Sequence, residues 1–234
     1  LGLLEQLLAR EPACGPAFAW RAAVRVQLGG WVEAVGDFDR ACALTPERTL
    51  VWYLRARDTL AWYESSPGGL PAGSKTAAGY RREAVAPETR HEREQRERAL
   101  ADLERMLQCT DRDPTCGEPE RRLARAALAM HTDRPEDALR ELAGVAGPRA
   151  DYLRGQALYL CGRFADGAQA LRDSVREWPE NGAVWFTLGF LEKADADRQE
   201  GEGADPREAL RRAEAAWTES IPRMFDAGVA WQNR

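Results

Sequence analysis

Two histidines, five cysteines and one lysine set among glycines are the residues from which this chain could most readily build chemistry. Segment 69–77, GLPAGSKTA, has the composition of a loop that cradles phosphate. Ser74, however, separates Gly73 from Lys75, no strand pattern precedes it, and the required glycine spacing is absent. His91-Glu92 opens like the helix of a zinc protease, but position 95 is Gln and the second histidine is missing. His131 lies far off, near the end of a helical stretch, so no Ser/His/Asp or Cys/His arrangement can be assembled. The cysteines, at 14, 42, 109, 116 and 161, contain no CxxC pair for a metal. Cys109 and Cys116 flank a short loop and form the one pair placed to bridge in an oxidising compartment; buried or bystander thiols are the ordinary reading. Carboxylates are plentiful, which is normal for a charged helical surface. The expectation is a chain with no catalytic residues, no metal site and no cofactor.

Composition narrows the class further. Hydrophobic residues make up 44% and charged residues 30%, as expected of a folded domain. A net charge of −5 and a pI near 5.3 give no general attraction to nucleic acid. The run RREAVAPETRHEREQRER at 81–98 mixes Arg and Glu almost evenly, without aromatics for base stacking, and reads as a solvated helix laced with i,i+4 pairs. No segment approaches the roughly 20 apolar residues that a membrane span requires. The chain has neither an initiator Met nor a signal peptide, so a piece of a longer protein is expected. A cytoplasmic location is expected, or a periplasmic one should an upstream signal have been removed.

The elements that must carry these residues are set by a repeat. Pro12 and Pro46, Phe18 and Trp52, Arg21 and Arg55, and Ala22 and Ala56 are each 34 residues apart, as are Asp151 and Trp185, and Gly155 and Gly189. A 34-residue period built of helix formers predicts a helix–turn–helix unit that buries its apolar face only by stacking on copies of itself. Residues 31–46, WVEAVGDFDRACALTP, alternate aromatic and small residues: Ala34 and Ala41 permit close helix approach, Phe38 fills the gap, and Pro46 stops the helix. WFTLGF at 185–190 supplies a large aromatic and then a small Gly189 at the helix contact.

These two segments resemble the second and first helices of the tetratricopeptide repeat. The resemblance covers about four-fifths of the chain, and it implies an all-α, right-handed superhelical solenoid of about five copies in a single array. Residues 1–14 would be the second helix of a truncated copy, with Leu4, Leu7, Leu8 and Pro12 in the matching places. Copies follow at 15–48, 49–118, 119–147, 148–181 and 182–221, and 222–234 closes the array. Ala99 stands 43 residues after Ala56, against 12 from Ala22 to Ala34, so the second copy carries an insertion of 31 residues at about 65–98. Its SSPGGLPAGSKTAAGY predicts a flexible loop, followed by a long helix whose first turns project into solvent. EKADADRQEGEGADP in the fifth copy predicts a smaller loop, and the third copy is about one turn short before Pro148.

Arg21, Arg55, Arg125 and Arg154 share one position of the repeat, where many family members carry Leu. Asp37, Asp102 and Glu141 occupy the facing position of the second helix in the first three copies. A half-buried Arg needs a carboxylate to take its fork, so salt bridges within hydrogen-bonding range are expected there. Arg154 faces Ala170, leaving Asp166 or Asp173 to substitute, and in the fifth copy Leu188 faces Arg212, so both charges of the ladder are lost.

In the family, first helices line a concave groove that holds peptides or partner helices. The matching positions are Ala19, Ala23 and Val26; Tyr53, Arg57 and Leu60; Leu123, Ala127 and Met130; Tyr152, Gln156 and Tyr159; and Phe186, Phe190 and Lys193. This apolar and aromatic face lacks the charged clamp with which some relatives hold a terminal carboxylate. It suits an extended or helical segment with apolar anchors, best placed between Tyr152 and Phe190. The expected function is a non-catalytic protein–protein interaction module or scaffold. Arrays with Arg for Leu and an aspartate before the second-helix aromatic, as in Asp37-Phe38, also resemble those appended to bacterial serine/threonine kinases. A regulatory or substrate-recruiting region is therefore the alternative, and an envelope assembly lipoprotein a third.

Overall fold

The computed structural model describes residues 1–28, 30–64, 71–76, 79–84, 88–109, 113 and 115–223. Among them the fold is all-α apart from one short strand pair. The helices are α1 (Gly2–Arg10), α2 (Gly15–Gln27), α3 (Trp31–Leu44), α4 (Thr49–Glu64), α5 (Arg90–Cys109), α6 (Glu118–His131), α7 (Pro135–Leu142), α8 (Pro148–Leu160), α9 (Phe164–Glu177), α10 (Gly182–Gly201) and α11 (Arg207–Ser220). A 3-10 turn, Ile221–Arg223, follows; the remainder of the expected closing segment, 224–234, lies outside the described residues. None of these helices is long and apolar enough to cross a membrane.

The chain forms two compact units. One comprises Leu1–Trp62 with Arg93–Ala124, the other Tyr63–Glu92 with Arg125–Arg234. In the first unit, α2 starts with a proline in its opening turn, where the missing N–H costs nothing. It packs on α3 through Ala22, Ala34, Phe38 and Ala41, all buried. Helix α3 ends at Thr45 because Pro46 cannot continue it. Asp113 closes the N-terminus of α4 from a distance in sequence: its Oδ2 accepts from the Thr49 backbone N–H at 2.7 Å and from Thr49 Oγ1 at 3.1 Å. An acidic side chain is stabilising at that end of a helix, where backbone N–H groups lack partners.

In the second unit each helix from α7 to α11 packs on the next. Two glycines set the closest approach. A Cβ on Gly155 would meet Leu171 at 2.5 Å and the Gly167 carbonyl at 3.2 Å, so α8 and α9 touch backbone to backbone. A Cβ on Gly189 would strike the Trp217 indole at 2.4 Å. Asn181 caps α10, its side-chain oxygen accepting from Ala183 N–H at 3.0 Å. Helix α7 is only 8 residues long and is followed by Gly144 and Gly147 at positive φ.

Two expectations for the insertions change. Residues 71–76 and 79–84, expected as loop, form the antiparallel strands β1 (Pro71–Thr76) and β2 (Gly79–Ala84), with Pro71 opposite Ala84 and Thr76 opposite Gly79. Gly, Ser and Pro weaken a strand locally, but a two-residue connection makes pairing cheap in loop entropy. Residues 65–70 and 85–87 of the insertion lie outside the described residues. In the fifth copy α10 continues to Gly201, so most of the expected loop is helix. Its acidic run is also rich in helix formers and is laced by Lys193–Asp197 at 2.8 Å and Arg198–Glu202 at 2.7 Å. Only at Gly203, with φ of +78°, does the chain turn back.

Candidate functional site

The arginine ladder divides by unit. In the first, Arg21 grips Asp37 with its fork, Nε to Oδ2 at 2.7 Å and Nη2 to Oδ1 at 2.6 Å, and Arg25 adds Nη1 to Oδ2 at 2.7 Å. Arg55 grips Asp102 in the same way, with both bonds at 2.7 Å, and its Nη1 also reaches Asp39 at 3.0 Å. Arg98 of α5 shares Asp39. Each fork lies against an aromatic three residues earlier on its own helix: Arg21 over Phe18 at 5.2 Å and Arg55 over Trp52 at 5.1 Å. A second arginine, three residues beyond each aspartate, covers the same ring: Arg40 over Phe18 at 5.2 Å and Arg105 over Trp52 at 4.9 Å. Burial pushes the Asp102 carboxyl up, opposed by the Arg55 fork.

In the second unit the ladder loosens and then inverts. Arg125 approaches Glu141 only to 3.5 Å, and both side chains are partly exposed. Arg154 uses neither Asp166 nor Asp173, which pair with Arg163 and Arg176. It pairs with Asp151 one turn back and donates to the carbonyls of Leu142 at 2.9 Å and Val145 at 2.8 Å. The reason is local: Asp151 stands three residues before Arg154, where Phe18 and Trp52 stand before Arg21 and Arg55. On α10 Leu188 stands at the arginine's place, and a charge pair of exchanged sign forms one turn further on. Glu192 on α10 accepts from Arg212 Nε on α11 at 2.8 Å and also pairs with Arg172 on α9. Its side chain is 2% exposed, so a single carboxylate joins three helices from the interior.

The groove positions lie deeper than their resemblance implies. Tyr152 is 1% exposed, Gln156 5%, Tyr159 3% and Phe186 0%. Tyr152 and Tyr159 join the core cluster of Phe164, Leu171, Val184 and Leu188. Phe186 packs with Trp217, and half-buried Phe190 bridges them edge-on, its centroid 5.0 Å from Phe186 and 5.6 Å from Trp217. A stripe at i, i+4 and i+7 marks a buried helix as readily as a groove: Tyr152 and Tyr159 share a core with α9 and α10, and Phe186 and Phe190 pack on Trp217 of α11. Tyr53 is buried in the first unit, and Arg57 turns its fork onto the neighbouring Asp58, Nε to Oδ1 at 2.7 Å.

Sequence reasoning missed the deepest polar cluster. Glu64, the last residue of α4, is buried and accepts from Arg149 at the start of α8, Nη1 to Oε2 at 2.8 Å and Nη2 to Oε1 at 3.3 Å. His131 Nε2 stands 3.8 Å from Oε1, and the His131 ring tilts against Tyr63 at 6.0 Å. Burial acts to raise the Glu64 carboxyl, but Arg149 and His131 outweigh it and hold the group at about 2. The partners are 85 residues apart across the insertion, so no repeat offset pointed to them. The five cysteines are free; burial pushes the Cys42 thiol up to about 11. Among the described residues, no group of three His, Cys, Asp or Glu could hold a metal ion.

Comparison with known protein families gives no matching family model, and comparison with curated proteins gives no match.

Proposed function

We propose that the chain is a tetratricopeptide-type array that binds an extended segment of a partner protein along the first helices of its last two helix pairs, α8 and α10. On this reading it has no catalytic role of its own and serves as an interaction module. The observation that carries the proposal is that β2 touches α8 and β1 touches α10, which sets extended backbone beside both helices. Helix starts at Gly15, Thr49, Pro148 and Gly182, with Glu118 one residue from the expected third start, support the repeat assignment. So does a shared local bond: Trp52 Nε1 donates to the Pro46 carbonyl at 2.9 Å, and Trp185 Nε1 to the Pro179 carbonyl at 2.8 Å. A preformed face limits the ordering cost of association to the incoming segment.

The test is selection of peptides from a random display library, both on the chain and on a variant with residues 66–87 replaced by a Gly/Ser linker, followed by hydrogen–deuterium exchange of the complexes. Protection concentrated in α8 and α10 is the expected result. Protection confined to α9 and α11, or no enrichment on either form, would overturn the reading.

A further inference from the structure

We infer that the β1/β2 hairpin is an internal ligand of the α8/α10 face, and that it must leave before an external segment can bind. This inference rests on the binding face proposed above. Helix α8 is buried on nearly every side between Ala150 and Tyr159, and α10 is buried through most of Gly182–Ala196. A helix buried all round needs a neighbour on each face. Helices α7 and α9 cover part of α8, and α9 and α11 part of α10; the hairpin touches both helices at once. It is the segment of this chain that lies where a partner would lie.

Both ends of the insertion are fixed. At one end Glu64 is held by the Arg149 fork. At the other, Thr89 and Glu92 form a reciprocal capping box that starts α5: Thr89 N–H donates to Glu92 Oε2 at 2.7 Å, and Glu92 N–H donates to Thr89 Oγ1 at 3.1 Å. Anchored ends keep the hairpin near the face at an effective concentration on the order of millimolar. The occupant itself is poor in apolar anchors: its strands, PAGSKT and GYRREA, contain one aromatic, Tyr80. On α8 itself, Gln156 Nε2 is buried without a hydrogen-bond partner. A tethered strand pair with few apolar residues in its sequence is open to displacement by a segment richer in apolar anchors.

The experiment measures binding of a fluorescent peptide spanning residues 69–86 to the full chain and to the linker variant, with a scrambled peptide as control. The natural peptide should bind the linker variant at least about ten-fold more tightly than the full chain, because the tethered copy competes only in the latter. Exchange in α8 and α10 should quicken in the linker variant and slow again when the peptide is added. Equal affinity for both forms, or equal binding of the scrambled peptide, overturns the inference. If library-selected peptides bind the linker variant at α8 and α10 but the 69–86 peptide does not, internal occupancy fails while the binding face stands. If neither binds, both fail. Should the linker variant not fold, the double substitution Ser74→Pro/Arg82→Pro, which removes strand pairing and leaves every helix intact, is read by the same comparison.

Discussion

The two units solve the same problem, an arginine at a helix contact, in different ways. In the first unit Arg21 and Arg55 each reach across to an aspartate on the partner helix and lie on an aromatic of their own helix. In the second, Arg154 stays on its own helix with Asp151 and takes two backbone carbonyls, while the last pair inverts its charges around Glu192. The difference teaches that the position requires a satisfied fork rather than a particular partner. Where the residue three before the arginine is Asp rather than an aromatic, as at 151, the need for an acid across the interface disappears. When the arginine itself moves to the second helix, as at 212, the acid moves to the first.

The comparison can be broken most severely at Asp102. Asp102→Ala leaves the buried Arg55 guanidinium with only the more exposed Asp39 as a carboxylate partner and should cost about 3 kcal/mol in urea unfolding. A cost below about 1 kcal/mol would show that the cross-helix fork is ornamental in the first unit. Next comes acid stability in the second unit. The Glu64 carboxyl sits at about 2 when folded against 4.5 ordinarily, so its contribution is full above about pH 4.5 and fades as pH falls towards 2. That contribution is on the order of 3 kcal/mol. Urea midpoints at pH 7, 5 and 3 should therefore fall more steeply for the native chain than for Glu64→Gln, and parallel curves would contradict the assignment. Gly155→Ala forces Leu171 and the Gly167 carbonyl apart and should cost about 1–3 kcal/mol, measured in the same way. The smallest effect sharpens the contrast: Asp151→Ala leaves Arg154 its two carbonyls and should cost no more than about 1 kcal/mol. A loss as large as that of Asp102→Ala would erase the distinction between the units.

Helix positions were legible because they depend on local signals. Proline in the first turn of α2 and of α8, proline after α3, and the 12-residue offsets Ala22–Ala34 and Gly155–Gly167 are all short-range signals. The Arg21–Asp37 and Arg55–Asp102 partners were legible for the same reason, since the repeat offset holds whatever the length of the intervening loop. The reading of residues 192–201 failed because acidic composition was weighed above helix propensity. That of Tyr152 and Tyr159 stopped short because spacing places residues on one face without saying what covers the face.

The sequence by itself determined the all-helical character, several helix starts and the two cross-helix forks, because these rest on propensity, stop signals and residue offsets. Only the tertiary structure decided that the aromatic stripe is buried, that Glu64 meets Arg149 and that the insertion pairs with itself against α8 and α10. Those outcomes depend on which surfaces exclude water from one another across long stretches of chain. Burial of this kind is a property of the assembled neighbours, and no short pattern of residue types encodes it.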